Sequence, residues 1–362
     1  MDTGHYLFSA VRGTQAGREY FVAMCPLHLV PKLFTFDGAE LTPELRAQRV
    51  LNRARVPEMA RYVTENPETY VFSALTSSVD ADLEFVAVPG SRTVGELKVP
   101  MSGRFVINDG QHRRAAIELA LKAQPNLAHE TIAVVFFSDI GLARSQQMFA
   151  DLNRYATRPS NSLATLYDHR DGAAELVRRL VSECAVFSEL VEMERSTLSP
   201  RSRQLFTFSA VYQATKSLLA RSTPADFDRA LATARDYWEA LAALLPEWGL
   251  VREGALSAAG LRETWIHSNG VVLVAFGRFG EALLAERPNT WREDMAQLRN
   301  IDWRRSNSVW AGRAVVQGKL SKTTRSQTLT TSLLKTVVGQ PLSADERRLE
   351  DELKRVEHDN AA

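Results

Sequence analysis

The sequence predicts an α+β protein in two parts, a mixed α/β region over residues 1–160 followed by a mainly α-helical region over residues 161–362. Three observations carry that prediction. Short apolar runs separated by Gly, Asp and Ser dominate as far as Phe137, whereas apolar residues at helical three-and-four spacing dominate after Asn161. The length, 362 residues, suits two domains, and an apolar fraction of 45% with 24% charged residues is ordinary for globular cores.

In chain order, Tyr6-Leu7-Phe8 and Tyr20 to Met24 read as strands flanking a hairpin loop at 13–17. Thr42-Pro43-Glu44-Leu45 has the form of a helix start, with Thr42 as cap and Pro43 in the first turn. Its Arg46, Arg49, Arg53 and Arg55 form either a solvated face or a track for a DNA backbone. Val56-Pro57-Glu58-Met59 opens a short helix ending near Asn66-Pro67, and strands are expected at 71–75, 83–88 and 95–100.

The next stretch carries the most chemistry. Phe105 to Ile107 reads as a buried strand, Asn108-Asp109-Gly110 as a turn, and Arg113 to Lys122 as a helix. Such a turn aims the free amides of a new helix at one spot, and Gly110 allows close approach. Asp109, Gln111, His112, Arg113 and Arg114 crowd that spot. Two guanidiniums beside a helix N-terminus could hold phosphate, with the carboxylate or imidazole polarising an attacking group. The plainer alternative is a capped helix with solvated arginines.

Thr131 to Phe137 reads as a further buried strand. Leu142 to Tyr155 has helical spacing, its apolar stripe formed by Met148, Phe149, Leu152 and Tyr155. At the end of that helix Asp151, Asn153, Arg154 and Arg158 form a polar cluster, readable as phosphate ligands or as a C-terminal cap. Helices are then expected at 173–184, 205–221, 224–245, 261–286 and 291–299. The Ser/Arg-rich stretch 195–203 interrupts them as a connector or a DNA-touching loop.

Between Arg299 and Lys335 stand Arg304, Arg305, Arg313, Lys319, Lys322 and Arg325 against the single acid Asp302, with Asn307, Trp303, Trp310 and many hydroxyls interleaved. This basic segment, 299–335, suits a nucleic-acid backbone. Alternatively its tryptophans anchor a core and its arginines pair with the acidic helix expected from Asp345 to Glu357.

A formal net charge of only +1 confines any DNA site to a local patch. Cys25 and Cys184 have no Cys-x-x-Cys partner, which argues against zinc or iron–sulfur ligation and for two reduced thiols, Cys25 in an apolar run. P-loop, Gly-x-Gly-x-x-Gly and His-Glu-x-x-His patterns are absent, and the histidines show no metal-ligand spacing. His169, among charges in Tyr167 to Asp171, is the other histidine to watch beside His112. Neither a basic leader nor a membrane-spanning apolar run is found, so a cytoplasmic location is expected.

Asp109-Gly110-Gln111-His112-Arg113 matches the signature of DGQHR-domain proteins, and Ile107-Asn108 and Arg114 to Ile117 resemble that family on either side. Gln147 to Pro159, Leu166 to Asp171 and Trp303 to Arg313 resemble further blocks of its DndB branch, so the resemblance runs from about Tyr20 to about Glu346. It implies a ParB/sulfiredoxin-like N-terminal domain and a DNA-binding repressor of a DNA phosphorothioation operon. The implied partners are promoter duplex DNA, other phosphorothioation proteins and further copies of the chain, with no membrane and no required cofactor. The implied phosphate ligands are Gly110, Gln111, Arg113, Arg114, Asn153, Arg154, Arg158, Arg304, Arg305, Asn307, Arg313 and Lys319. The alternative is a phosphohydrolase, acting on ATP or another nucleotide with Mg2+ or nicking DNA. In it Asp109 or His112 is the general base, and Arg113 and Arg114 stabilise charge on phosphorus.

Overall fold

The computed structural model describes residues 4–34, 53–138, 147, 148, 150–152, 154, 159–221 and 226–361, and the chain divides into two compact units, Met1–Thr157 and Arg158–Ala362. The helix expected from Thr42 with Arg46 and Arg49, the side chain of Arg53, Phe149, Asn153, Tyr155 and Arg158 lie outside the described residues.

The first unit is mixed α/β, built on a seven-stranded sheet of order β4-β5-β1-β2-β7-β3-β6. Its strands are β1 His5–Gln15, β2 Arg18–Pro26, β3 Leu75–Asp80, β4 Glu84–Ala87, β5 Val94–Pro100, β6 Arg104–Asp109 and β7 Thr131–Ser138. β3 and β7 run parallel and every other pairing is antiparallel. Alternation sets the faces: Phe8 and Ala10 of β1 enter the core, while Leu7 and Val11 stay exposed. The β1–β2 turn is tighter than the expected loop. Gln15 pairs with Arg18, and Ala16 and Gly17 both take positive φ, the two-residue turn that matches strand twist.

The described helices of this unit include α1 Val30–Leu33, α2 Val56–Glu65 and α3 Gln111–Ala123, with α2 packed beside α3. Their apolar faces meet the sheet in one core that includes Leu33, Val63, Ile117 and Ala120. The strand expected at 71–75 begins only at Leu75, because the carbonyls of Ser73 and Ala74 are taken by the Arg113 side chain instead of a ladder neighbour.

The second unit is helical: α4 Asn161–Leu166, α5 Gly172–Glu183, α6 Phe208–Leu218, α7 Phe227–Ala242, α8 Pro246–Arg252, α9 Ala258–Thr264, α10 Gly270–Glu286, α11 Trp291–Met295, α12 Thr324–Val337 and α13 Ala344–Ala361. Two short pairings, β8 Val191–Glu192 with β9 Phe206–Thr207 and β10 Val315–Val316 with β11 Lys319–Leu320, punctuate it. α10 is buried along almost its whole length and packs against α6 and α12. Gly277 makes the α6 contact possible, since a Cβ there would lie 2.0 Å from the Ala214 carbonyl oxygen.

The helix expected over 261–286 is two helices. Residues 265–269 turn away to bond the chain near Trp303, through the amide of Ile266 and a bridge from Trp265 to Arg304, and Asn269 then caps α10. α12 was not expected as a helix, because its hydroxyls disguise it. Thr330, Thr331, Ser332 and Thr336 each donate back to the carbonyl four residues earlier, which for the first three satisfies a buried hydroxyl inside a helix.

Candidate functional site

β6 ends at Asp109, and the chain must reverse into α3 within one residue. Gly110 does this at φ 103°, a left-handed conformation, and a Cβ on it would stand 2.4 Å from Cδ2 of Leu75. The close approach sets the N-terminus of the 13-residue α3 against β3.

The polar side chains of this corner face mainly inward. Arg113, 13% exposed, donates to Asp109 at 2.5 Å and to the carbonyls of Ser73 and Ala74, each at 2.7 Å. Arg114 pairs with Glu118 at 2.6 Å and reaches the Pro31 carbonyl at 3.2 Å. Both guanidiniums, expected as phosphate ligands, therefore brace α3 against its neighbours. Gln111 is 8% exposed; its amide donates to the Ile107 carbonyl at 3.3 Å, and its Oε1 is buried without a hydrogen-bond partner among the described residues. Asn108 is buried and donates to Ser78 Oγ at 2.7 Å. His112 is half-buried and Arg154 exposed.

In the helical unit the basic segment is folded, not extended. Trp303 and Trp310 stack in the core with ring centroids 5.1 Å apart, and the Trp310 indole donates to the Asp302 carbonyl at 3.0 Å. Asn307 caps a short turn and donates to the same carbonyl at 2.9 Å, and Arg305 donates to the Gly318 carbonyl. Arg313 forks onto Glu350 of α13, and Arg325 reaches Glu352 at 2.6 Å. Arg305, Asn307 and Arg313 thus spend their donors inside the fold, while Arg304 and Lys319 are exposed.

The Ser/Arg-rich loop is pinned rather than loose. Arg262 of α9 donates to the carbonyls of Ser199, Pro200, Ser202 and Gln204, a role with no signal in the sequence beyond a lone arginine in a helical pattern. Within this unit the loop and the basic segment border one cleft of about 1000 Å³, lined among others by Ser196, Thr197, Leu198, Arg262 and Lys322. His169 lies in this helical unit, not in the unit that holds Asp109.

Cys25 and Cys184 are both buried, and burial pushes the Cys25 thiol up to about 12, which suits an inert thiol. Among the described residues, His, Cys, Asp and Glu form no cluster suited to a metal ion, and no helix is long and apolar enough to cross a membrane.

A family profile described as DndB, DNA-sulfur modification-associated, matches residues 8–341, nearly the whole chain. The chain belongs to the DndB family. Membership associates it with DNA sulfur modification systems. The DndB match takes in the Gly110 corner, the pinned loop and the basic segment. No curated protein and no solved structure matches the chain.

Proposed function

We propose that this DndB family protein is a DNA-binding regulator that represses the operon of a DNA phosphorothioation system. Family membership supports the setting. The observation that carries DNA contact is the meeting of two basic, hydroxyl-rich segments, far apart in sequence, at the border of one cleft in the helical unit. The side chains of Arg195, Arg201 and Arg203 on the loop, and of Lys319 and Lys322 on the basic segment, are exposed and lack carboxylate partners among the described residues. Unpaired cations among hydroxyls are the usual ligands of a phosphate backbone. The internal pairs of Arg262 and Arg313 would hold that surface in shape before DNA arrives.

On this reading the protein works in the cytoplasm as a homo-oligomer on a repeated operator, since protein symmetry mirrors a palindromic site. The sheet unit is ParB/sulfiredoxin-like, with β6, Gly110 and α3 as the shared corner, and Arg113 and Arg114 position that corner rather than grip phosphate directly.

The test is titration of labelled duplexes, one carrying the promoter of the modification operon and one scrambled, at several salt concentrations. A promoter preference that survives moderate salt is expected. Lys319→Glu should weaken both duplexes and flatten the log–log salt slope by about one. Absence of binding to either duplex overturns the reading.

A further inference from the structure

The cleft of the helical unit, about 1000 Å³, is of a size that encloses a small molecule. Its walls are fixed. Ser160 and Ser162 of the α4 start donate to the carbonyls of Glu194 and Arg195, the Ser162 amide bonds the Ser196 hydroxyl at 3.2 Å, and Arg262 pins the loop beyond. The first turns of α6 and α10 reach the cleft through Thr207, Ser209, Asn269 and Gly270. Helices of 11 and 17 residues therefore present their positive dipole ends there.

A second observation, independent of the helix ends, points to a ligand. Ser268 lines the cleft, is only 6% exposed, and its hydroxyl has no hydrogen-bond partner among the described residues. Its Oγ is open to the cleft rather than sealed in the core, so a molecule held in the cleft can complete it. Among the described residues, Lys322 brings an exposed ammonium without a carboxylate partner, and the guanidinium of Arg262 is met by carbonyl dipoles alone. The cleft also offers complementary chemistry. Asp168 accepts from the Arg170 amide through one oxygen and has no side-chain donor on the other among the described residues, Asp171 is already committed to capping α5 and to the Tyr212 hydroxyl, and Leu198, Leu205 and Val274 supply apolar wall.

We propose that this cleft binds a free nucleotide, its phosphate at Ser268, Lys322 and the α10 start, and its base against the apolar wall. A ligand with an anionic end, hydroxyl or amino donors and a flat apolar body meets all three features, whereas a bare anion uses only the first. The site shares Lys322 with the border of the proposed DNA contact, whose other cations, Arg195, Arg201, Arg203 and Lys319, do not line the cleft, so Ser268→Leu should lose the nucleotide and keep DNA while Lys319→Glu does the reverse.

Calorimetric titration of the full chain with ATP, AMP, the other ribonucleotides, adenosine and inorganic phosphate tests it. At least one nucleotide should bind in the micromolar range, inorganic phosphate at least tenfold more weakly. Ser268→Leu, which fills the pocket, and Lys322→Glu, at an exposed position, should each weaken the nucleotide tenfold or more while far-UV circular dichroism stays unchanged. Should Ser268→Leu misfold, Lys322→Glu decides alone. No binding by any nucleotide at millimolar concentration overturns the proposal, as does nucleotide binding indifferent to Lys322→Glu. Inorganic phosphate binding as tightly as any nucleotide, or a cleft that only duplex DNA protects from chemical labelling of Lys322, overturns it too.

Discussion

Nη2 of Arg113 lies 2.5 Å from Oδ2 of Asp109, and the same guanidinium donates to the carbonyls of Ser73 and Ala74. One side chain therefore ties the end of β6, the lead-in to β3 and the first turn of α3. Replacing Arg113 by Ala leaves carbonyls and a carboxylate without their donor, and charged hydrogen bonds of this kind contribute about 1.5–3 kcal/mol each way. Arg113→Ala should lower stability by about 2 kcal/mol in urea denaturation. Arg113→Lys should recover little, because an ammonium cannot reproduce the planar fork. A loss below about 0.5 kcal/mol would mean the corner does not depend on this brace.

Gly110→Ala should be more damaging than an ordinary surface change. The residue sits at φ 103°, and its new Cβ would meet Cδ2 of Leu75 at 2.4 Å. Strained backbone alone costs on the order of 1–3 kcal/mol, and the clash adds to it. Adding Leu75→Ala should relieve the clash and leave the backbone strain, so the two changes should be non-additive in a double-mutant cycle. Strict additivity would show that the contact with β3 is not what selects glycine here.

The corner illustrates what the sequence shows and what it conceals. Strand, turn and helix around Gly110 follow from apolar spacing and an Asp-Gly signal, which are local properties. That Arg113 points back toward Ser73 and Ala74 depends on β3 lying alongside β6, a pairing between segments about thirty residues apart in sequence. The basic segment behaves similarly. Its arginines were legible as charges, but which of them face Glu350 or Glu352 is decided by where α13 docks. α12 escaped notice because Thr and Ser signal turns and caps unless they bond backward within a helix, as Thr330 and Ser332 do. Ser268 and Arg262 had no local mark at all, since their roles arise only from burial and from the loop they face.

Arg313 and Glu350 supply a test that separates scaffold from DNA contact. Both are largely buried, 14% and 10% exposed at the side chain, and Arg313 also donates to the Leu329 carbonyl at 3.0 Å. Removing one partner of a buried pair strands the other, at about 3–5 kcal/mol, whereas replacing both by apolar residues of similar size is often neutral. Arg313→Met should destabilise strongly, and Arg313→Met with Glu350→Leu should recover much of the loss in thermal unfolding. If DNA affinity returns with the fold in the double variant, Arg313 is a brace. A stable double variant that no longer binds DNA would make it a phosphate ligand.

His267 should give the helical unit a measurable pH dependence. Its ring is fully buried, and Nδ1 accepts from the Trp248 indole at 2.8 Å, which places the proton on Nε2, 3.5 Å from the Glu247 carboxylate. Burial pushes the imidazole below its ordinary value despite the opposing pull of Glu247. The sign follows from linkage: below the ordinary histidine value of about 6.5 the unfolded chain takes up a proton that the folded ring refuses, so stability falls as pH drops through that region. Above it, both states are neutral and the group contributes no slope. The limiting slope for one proton is about 1.36 kcal/mol per pH unit. Glu247, held below its ordinary value chiefly by its contact with His267, loses its contribution only at more acidic pH. Urea midpoints between pH 7.5 and 5.5 should therefore fall for the wild-type chain and fall less for His267→Gln, whose amide oxygen can still accept from Trp248. Equal slopes in the two proteins would mean that the buried ring takes up its proton in the fold as readily as in the unfolded chain.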